Sequence, residues 1–275
     1  MSAMFAPVEN ASGLPTNEIR NRSELNYAID MADKRRVAII VGASSGIGEA
    51  LARELHKQGW SLGLLARRVD RLSAIARDLG DRASVGYVDV STDDCIHRFH
   101  TMVEALGGVD LVIISAGNGH LNPEHELHLD HETTAVNISG FIAIAQAAFR
   151  HFQQQGHGHL AAITSVAALR GSADGTVYSA TKAFQSVYLD GLRESARQKK
   201  LPLTVTELQT GFVDTAMMKT QTPLSPLVRH LLVSDATNTA KQMIRAISRK
   251  KKHTYITKRY AMIALLLKLL PRPGK

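Results

Sequence analysis

Tyr178 and Lys182 stand four residues apart, so on a helix they share a face and can point a phenol and an ammonium into one cleft. A free phenol, with a pKa near 10, is a weak acid and base at neutral pH. A neighbouring cation favours the phenolate and brings that value down. Such a tyrosine can give a proton to a carbonyl oxygen or take one from an alcohol. The pair alone is common by chance; what gives it meaning is its place on the helix after the fifth strand. Ser165 follows that strand directly and could donate to a developing oxyanion. Asn137 lies inside a helical stretch, where asparagine is a poor residue, so a local hydrogen-bonding role suits it. Taken singly, Ser165 and Asn137 are equally well read as a cap or a satisfied polar group.

A second set of residues points to an anion. Gly42-Ala43-Ser44-Ser45-Gly46-Ile47-Gly48 falls between the first strand and the first helix. Glycines there permit a tight turn and close approach of the main chain to a pyrophosphate, and the helix behind them presents free N–H groups and its positive end. The second strand ends Ala66-Arg67-Arg68. An Asp or Glu at that place would select the free ribose hydroxyl of NAD, whereas arginine accommodates the 2′-phosphate of NADP. Asp70 lies inside the following helix. NADP(H) is therefore the expected cofactor, with NAD(H) as the alternative.

The elements that must position these groups alternate. Apolar, β-branched runs at 35–41, 60–66, 83–88, 109–115, 160–164, 203–208 and 254–256 read as strands. Helical spacing covers 47–57, 70–79, 92–106, 132–155, 176–198 and 235–248. Most strands are apolar on both faces. That pattern predicts an α/β, Rossmann-type doubly wound fold: a mostly parallel sheet of about seven strands flanked by helices on both faces. The expected divisions are a mobile N-terminal extension over 1–34, a catalytic domain over 35–258 and a basic, apolar tail over 259–275.

Composition narrows the class. The 275 residues are 44% hydrophobic and 21% charged, a globular balance. The net charge of +8 comes from basic residues spread along the chain, with runs only at Lys34-Arg35-Arg36 and Arg249-Lys250-Lys251-Lys252. A polyphosphate ligand accounts for such a charge better than nucleic acid does. Cys95 is the sole cysteine, so no internal disulfide is expected. The first residues lack a secretory pattern, which makes the cytoplasm the expected address.

With these motifs in order, the chain resembles the short-chain dehydrogenase/reductase family over about residues 34–256. The features that carry the resemblance are the glycine loop, Asp89-Val90, Ala116-Gly117, Asn137, Ser165, Tyr178 with Lys182, and residues 211–215. The resemblance implies an oxidoreductase in which Tyr178 is the acid/base and Lys182 binds the nicotinamide ribose and lowers the tyrosine pKa. Ser165 would orient the substrate carbonyl and Asn137 would hold a water in a proton relay. Asp89 and Val90 would meet the adenine, and Ala116 and Gly117 would line the cofactor. Gly211, Val213 and Thr215 would wrap the nicotinamide end. It also implies a homodimer or homotetramer, a carbonyl or alcohol substrate, and no metal. Two departures stand out. Ile114-Ser115-Ala116-Gly117 replaces the family's Asn-Asn-Ala-Gly, and Thr210-Gly211 replaces its Pro-Gly.

Other features carry less. His120, His125, His128 and His131, with His157 and His159 later, read as solvated or loop residues rather than a metal site, though one could border the cleft. After residue 215 the resemblance implies a mobile segment that covers the substrate; the apolar character of Met217, Met218, Leu224, Pro226 and Leu227 suits a hydrophobic substrate of small to medium size there, or equally helix packing. The apolar run 260–270, interrupted by Lys268 and flanked by Lys258, Arg259, Arg272 and Lys275, resembles a helix lying on a membrane surface. A C-terminal helix packed on the domain or on a second subunit is the preferred reading.

Overall fold

The computed structural model describes residues 35–216, 218 and 225–270. The expected extension over 1–34 lies outside the described residues, as do Met217, Leu224 and the last five residues.

Seven parallel strands form one sheet in the order β3-β2-β1-β4-β5-β6-β7. They are β1 Val37–Val41, β2 Ser61–Ala66, β3 Ala83–Tyr87, β4 Leu111–Ile114, β5 Gly158–Ser165, β6 Leu203–Thr210 and β7 His253–Tyr255. The helices are α1 Gly46–Lys57, α2 Val69–Leu79, α3 Cys95–Ala105, α4 Leu127–Thr134, α5 Phe141–Gln155, α6 Thr176–Gln198, α7 Pro226–Leu232, α8 Ala236–Ser248 and α9 Lys258–Leu269.

Both faces of the sheet are covered because alternate residues of each strand enter different cores. Ala38 and Ile40 of β1 join Leu62, Leu64 and Ile113 against α1, α2 and α8. Ile39 and Val41 join Leu65, Val112 and Ile114 against α3, α5 and α6. Every one of these strand residues is buried. The chain reverses its winding between β1 and β4, and the carboxyl ends of those strands open the crevice where ligands of such sheets sit.

Three local differences from the sequence pattern have physical causes. The stretch expected as one helix over 132–155 begins at Leu127, where the buried side chain of Asn122 accepts from Glu126 N–H at 2.8 Å and so orders the entry. It then widens into a π-helical turn at Ala135–Gly140, which contains Asn137. The helix expected from Thr92 begins at Cys95, because Thr92 is engaged in a turn with Asp89 and Asp94. Residues beyond β7 form α9, whose Tyr260 and Ala264 are buried against the domain.

Candidate active site

Main chain makes the first end of the site. Gly42 follows β1 with φ +93, and a Cβ there would stand 2.5 Å from the Ala116 nitrogen. A Cβ on Gly48 would stand 2.1 Å from the Gly42 carbonyl oxygen. Only glycine lets the loop, α1 and the end of β4 close to this distance. Ser45 at the N-cap of α1 makes no side-chain cap, so the first-turn N–H groups of the helix keep their donor capacity toward the cleft. The Arg68 guanidinium reaches back across the loop, donating to Ser44 Oγ at 3.0 Å and to Ser45 Oγ at 2.7 Å. Arg67 is 69% exposed and 3.9 Å from Asp89.

Side chains make the second end. Tyr178 lies in the first turn of α6, and a Cβ on Gly119 would stand 2.5 Å from its ring, so the loop after β4 packs directly on the phenol ring. Burial pushes the Tyr178 phenol up, opposed by a hydrogen bond with Ser165. Ser165 Oγ accepts from Ala167 N–H at 3.1 Å, which leaves its own proton free to donate. Lys182 stands on the same face of α6, one turn beyond the phenol. Its Nζ stands 5.7 Å from the Tyr178 ring centroid and is bound elsewhere. Lys182 is 5% exposed, and burial pushes its ammonium down to about 8.

What holds that ammonium is a residue the sequence reading passed over. Lys182 Nζ donates to Gln185 Oε1 at 3.0 Å and makes a longer contact of 3.4 Å with the Ile163 carbonyl. The Gln185 amide donates in turn to the Asn137 carbonyl at 2.9 Å. Asn137 is fully buried; its side chain binds the main chain of Asn118 in both directions and donates to Thr181 Oγ1 at 3.0 Å. The signal for Gln185 was present, since i+3 from Lys182 on one helix is the same face. Gly119 carried no signal, because its role is set by a ring distant in sequence.

One cleft of about 870 Å³ joins the two ends. Gly42, Ser44, Ser45, Gly46, Ile47, Arg67, Arg68, Asp89, Val90, Ala116 and Gly117 line it, with Ser165, Tyr178, Lys182, Gly211, Val213 and Thr215. Gly48 and Asn137 stand behind that wall. The remaining lining mixes Leu121, Val166, Phe212, Met218 and Leu267 with Asn118, Arg170, Ser172 and Asp174, and His120 is the histidine that borders it. His159 lies away from the cleft, 2.8 Å from Thr206 Oγ1, and burial holds its imidazole down to about 4. The described residues contain no group of three His, Cys, Asp or Glu arranged for a metal.

The sequence matches the model of the short chain dehydrogenase family over residues 36–224. An uncharacterised oxidoreductase of Staphylococcus aureus is 34% identical over 192 residues, which is 68% of this chain and 82% of that protein. Among solved structures, an alcohol dehydrogenase from Thermococcus sibiricus complexed with 5-hydroxy-NADP is 27% identical with TM-score 0.71, covering 88% of this chain and all of its own (100%). A short chain dehydrogenase/reductase from Burkholderia phymatum in complex with NAD gives TM-score 0.76 at 20% identity, covering 88% and 97%. The matched span runs from β1 through the glycine loop, Ser165 and the Tyr178–Lys182 face, and the chain belongs to the short-chain dehydrogenase/reductase family of oxidoreductases.

Proposed function

We propose that this chain transfers a hydride between NADP(H) and a small-to-medium, hydrophobic carbonyl or alcohol substrate, with Tyr178 as the general acid/base. The observation that carries the reading is the single cleft with an anion-seeking wall at one end and a phenol, hydroxyl and ammonium at the other.

The residues fit a nicotinamide dinucleotide. The uncapped start of α1 and the close-packed loop at Gly42 and Gly48 suit a pyrophosphate. Arg67 and Arg68 follow β2 directly, with no carboxylate at the strand end itself, and line the cleft, which favours a 2′-phosphate. The T. sibiricus relative is complexed with a 5-hydroxy-NADP, in keeping with that preference. Asp89 and Val90 would border the adenine, and Gly211, Val213 and Thr215 the nicotinamide end. When bound, the nicotinamide supplies or accepts the hydride.

The chain's own groups move the proton. Tyr178 Oη gives its proton to the carbonyl oxygen in reduction and takes it back in oxidation. Ser165 Oγ donates to the same oxygen as negative charge develops there. Lys182 is cationic below about pH 8 and favours the phenolate that forms. Asn137 and Gln185 hold Lys182 at the cleft wall. Leu121, Val166, Phe212 and Met218 receive the apolar body of the substrate. Assembly as a homodimer or homotetramer in the cytoplasm completes the proposal; Val187, 71% exposed on α6, suits burial in such a contact.

The test is a fluorescence titration with NADPH and, separately, NADH, followed by turnover on a panel of apolar ketones and aldehydes. NADPH is expected to bind at least about tenfold tighter, the worth of one charge-assisted hydrogen bond. Tighter NADH binding removes the role given to Arg67 and Arg68. Binding without turnover on any carbonyl removes the catalytic reading.

A further inference from the structure

We infer that the outward face of α9 docks on the surface of an anionic lipid bilayer. The inference goes beyond the catalytic proposal and does not depend on it.

Two faces of α9 differ in what they touch. Its inner face is anchored at the site itself. Tyr260 Oη accepts from Phe212 N–H and donates to the Leu232 carbonyl, each at 2.8 Å. The Tyr260 ring fills the space above Gly211, where a Cβ would stand 1.8 Å from it. At the far end Arg170, just beyond Ser165 in the chain, donates to the carbonyls of Leu267 and Leu270 at 3.0 and 2.8 Å. A cation on the last carbonyls of a helix satisfies acceptors that otherwise lack partners. Leu267 thereby forms part of the cleft wall. The helix is thus fixed to the domain at both ends.

The outer face has no such packing. Met262, Leu265, Leu266 and Leu269 recur at helical spacing and are 53–73% exposed, and Leu270 extends the stripe. An apolar stripe of this kind on a fixed helix marks a contact surface. Its charge says which contact. The twelve residues Lys258–Leu269 contain no carboxylate, while Lys258 and Lys268 are exposed at its margins. Arg259 binds main-chain carbonyls and the Ser234 hydroxyl, so its charge is not cancelled there. The carboxylate of Asp214 beside this region is ion-paired with Arg229. Arg272 and Lys275 follow in the sequence.

An apolar stripe with cationic margins fits the boundary between acyl chains and anionic headgroups. A second copy of the same face would instead set lysines against lysines with no acid on the helix to pair them. At 12 residues α9 lies on a bilayer rather than through it, and no described helix is long and apolar enough to cross one. Docking through this face sets the Leu267-lined side of the cleft next to the lipid.

The experiment is co-sedimentation of the full chain with phosphatidylcholine vesicles and with vesicles in which about a third of the lipid is phosphatidylglycerol. Binding is expected to be at least about tenfold stronger on the anionic vesicles and to weaken with salt. The double variant L265E/L269E should lose it, with an unchanged thermal melt because both side chains point away from the domain. Light scattering of both proteins accompanies the assay. A wild-type chain that stays in the supernatant with anionic vesicles at low salt overturns the inference. So does a variant that sediments as the wild type does, or one that converts an oligomer to a monomer, which would make a second copy the occupant.

Discussion

At the phosphate end of the cleft the wall is main chain: Gly42 and Gly48 are packed so closely that a Cβ on either would enter backbone atoms at 2.5 and 2.1 Å. At the Tyr178 end the wall is side chains, and the polar ones are buried together: Asn137, Thr181, Lys182 and Gln185 are all 5% exposed or less. The first end obtains its donors from helix geometry, which any sequence able to make the turn would supply. The second must choose each group and satisfy every partner, because a buried polar atom without one costs about 1–3 kcal/mol. The first end should therefore be sensitive to bulk and tolerant of chemistry, and the second the reverse.

The sharpest way to separate the two is to change chemistry without shape. Tyr178→Phe removes one oxygen and should lower turnover about a thousandfold while leaving NADPH affinity and the melting temperature nearly as they were. Turnover within about tenfold of the wild type would deprive Tyr178 of the acid/base role. The converse experiment adds bulk without chemistry. Gly48→Ala drives a methyl into the Gly42 carbonyl, and a loss of about 3 kcal/mol is expected in denaturant unfolding, the upper range for overpacking. An unchanged midpoint would mean that the loop relaxes and that close packing is not what the glycine is for.

Smaller effects sharpen the picture. Arg68→Ala should weaken NADPH by about tenfold and leave NADH unchanged, because one charge-assisted pair to a 2′-phosphate is lost. Equal weakening of both would reassign Arg68 to holding Ser44 and Ser45. The mildest change is Gln185→Glu. Burial pushes Lys182 down to about 8, and a carboxylate in place of the amide favours the ammonium and raises that value. The sign follows: activity that needs the cation is present below the Lys182 pKa and is lost as pH rises through it. The alkaline limb of kcat should start near pH 8 in the wild type and move up in Gln185→Glu by about one unit or more. In Gln185→Met it should move down. An alkaline limb that is identical in all three proteins would show that Gln185 only fills space.

The two ends also differ in how far they could be read beforehand. Glycines at a strand-to-helix junction, paired arginines after β2 and a Tyr/Lys pair at i and i+4 are local patterns, since turn geometry and helix periodicity operate over a few residues. Alternating apolar strands and amphipathic helices likewise foretold the doubly wound sheet, because a strand apolar on both faces has to be covered twice. Long-range packing decided the rest. The π-helical turn that presents the Asn137 carbonyl to Gln185 joins residues 48 apart in the chain. Gly119 meets the Tyr178 ring only because β4 and β5 are neighbours in the sheet. For α9 the sequence supplied an apolar run with cationic margins and favoured a helix packed on the domain or on a second subunit. The fold buries Tyr260 and Ala264 and leaves Leu265 and Leu269 outside, for only the position of the rest of the domain determines which side of an all-round apolar helix is covered.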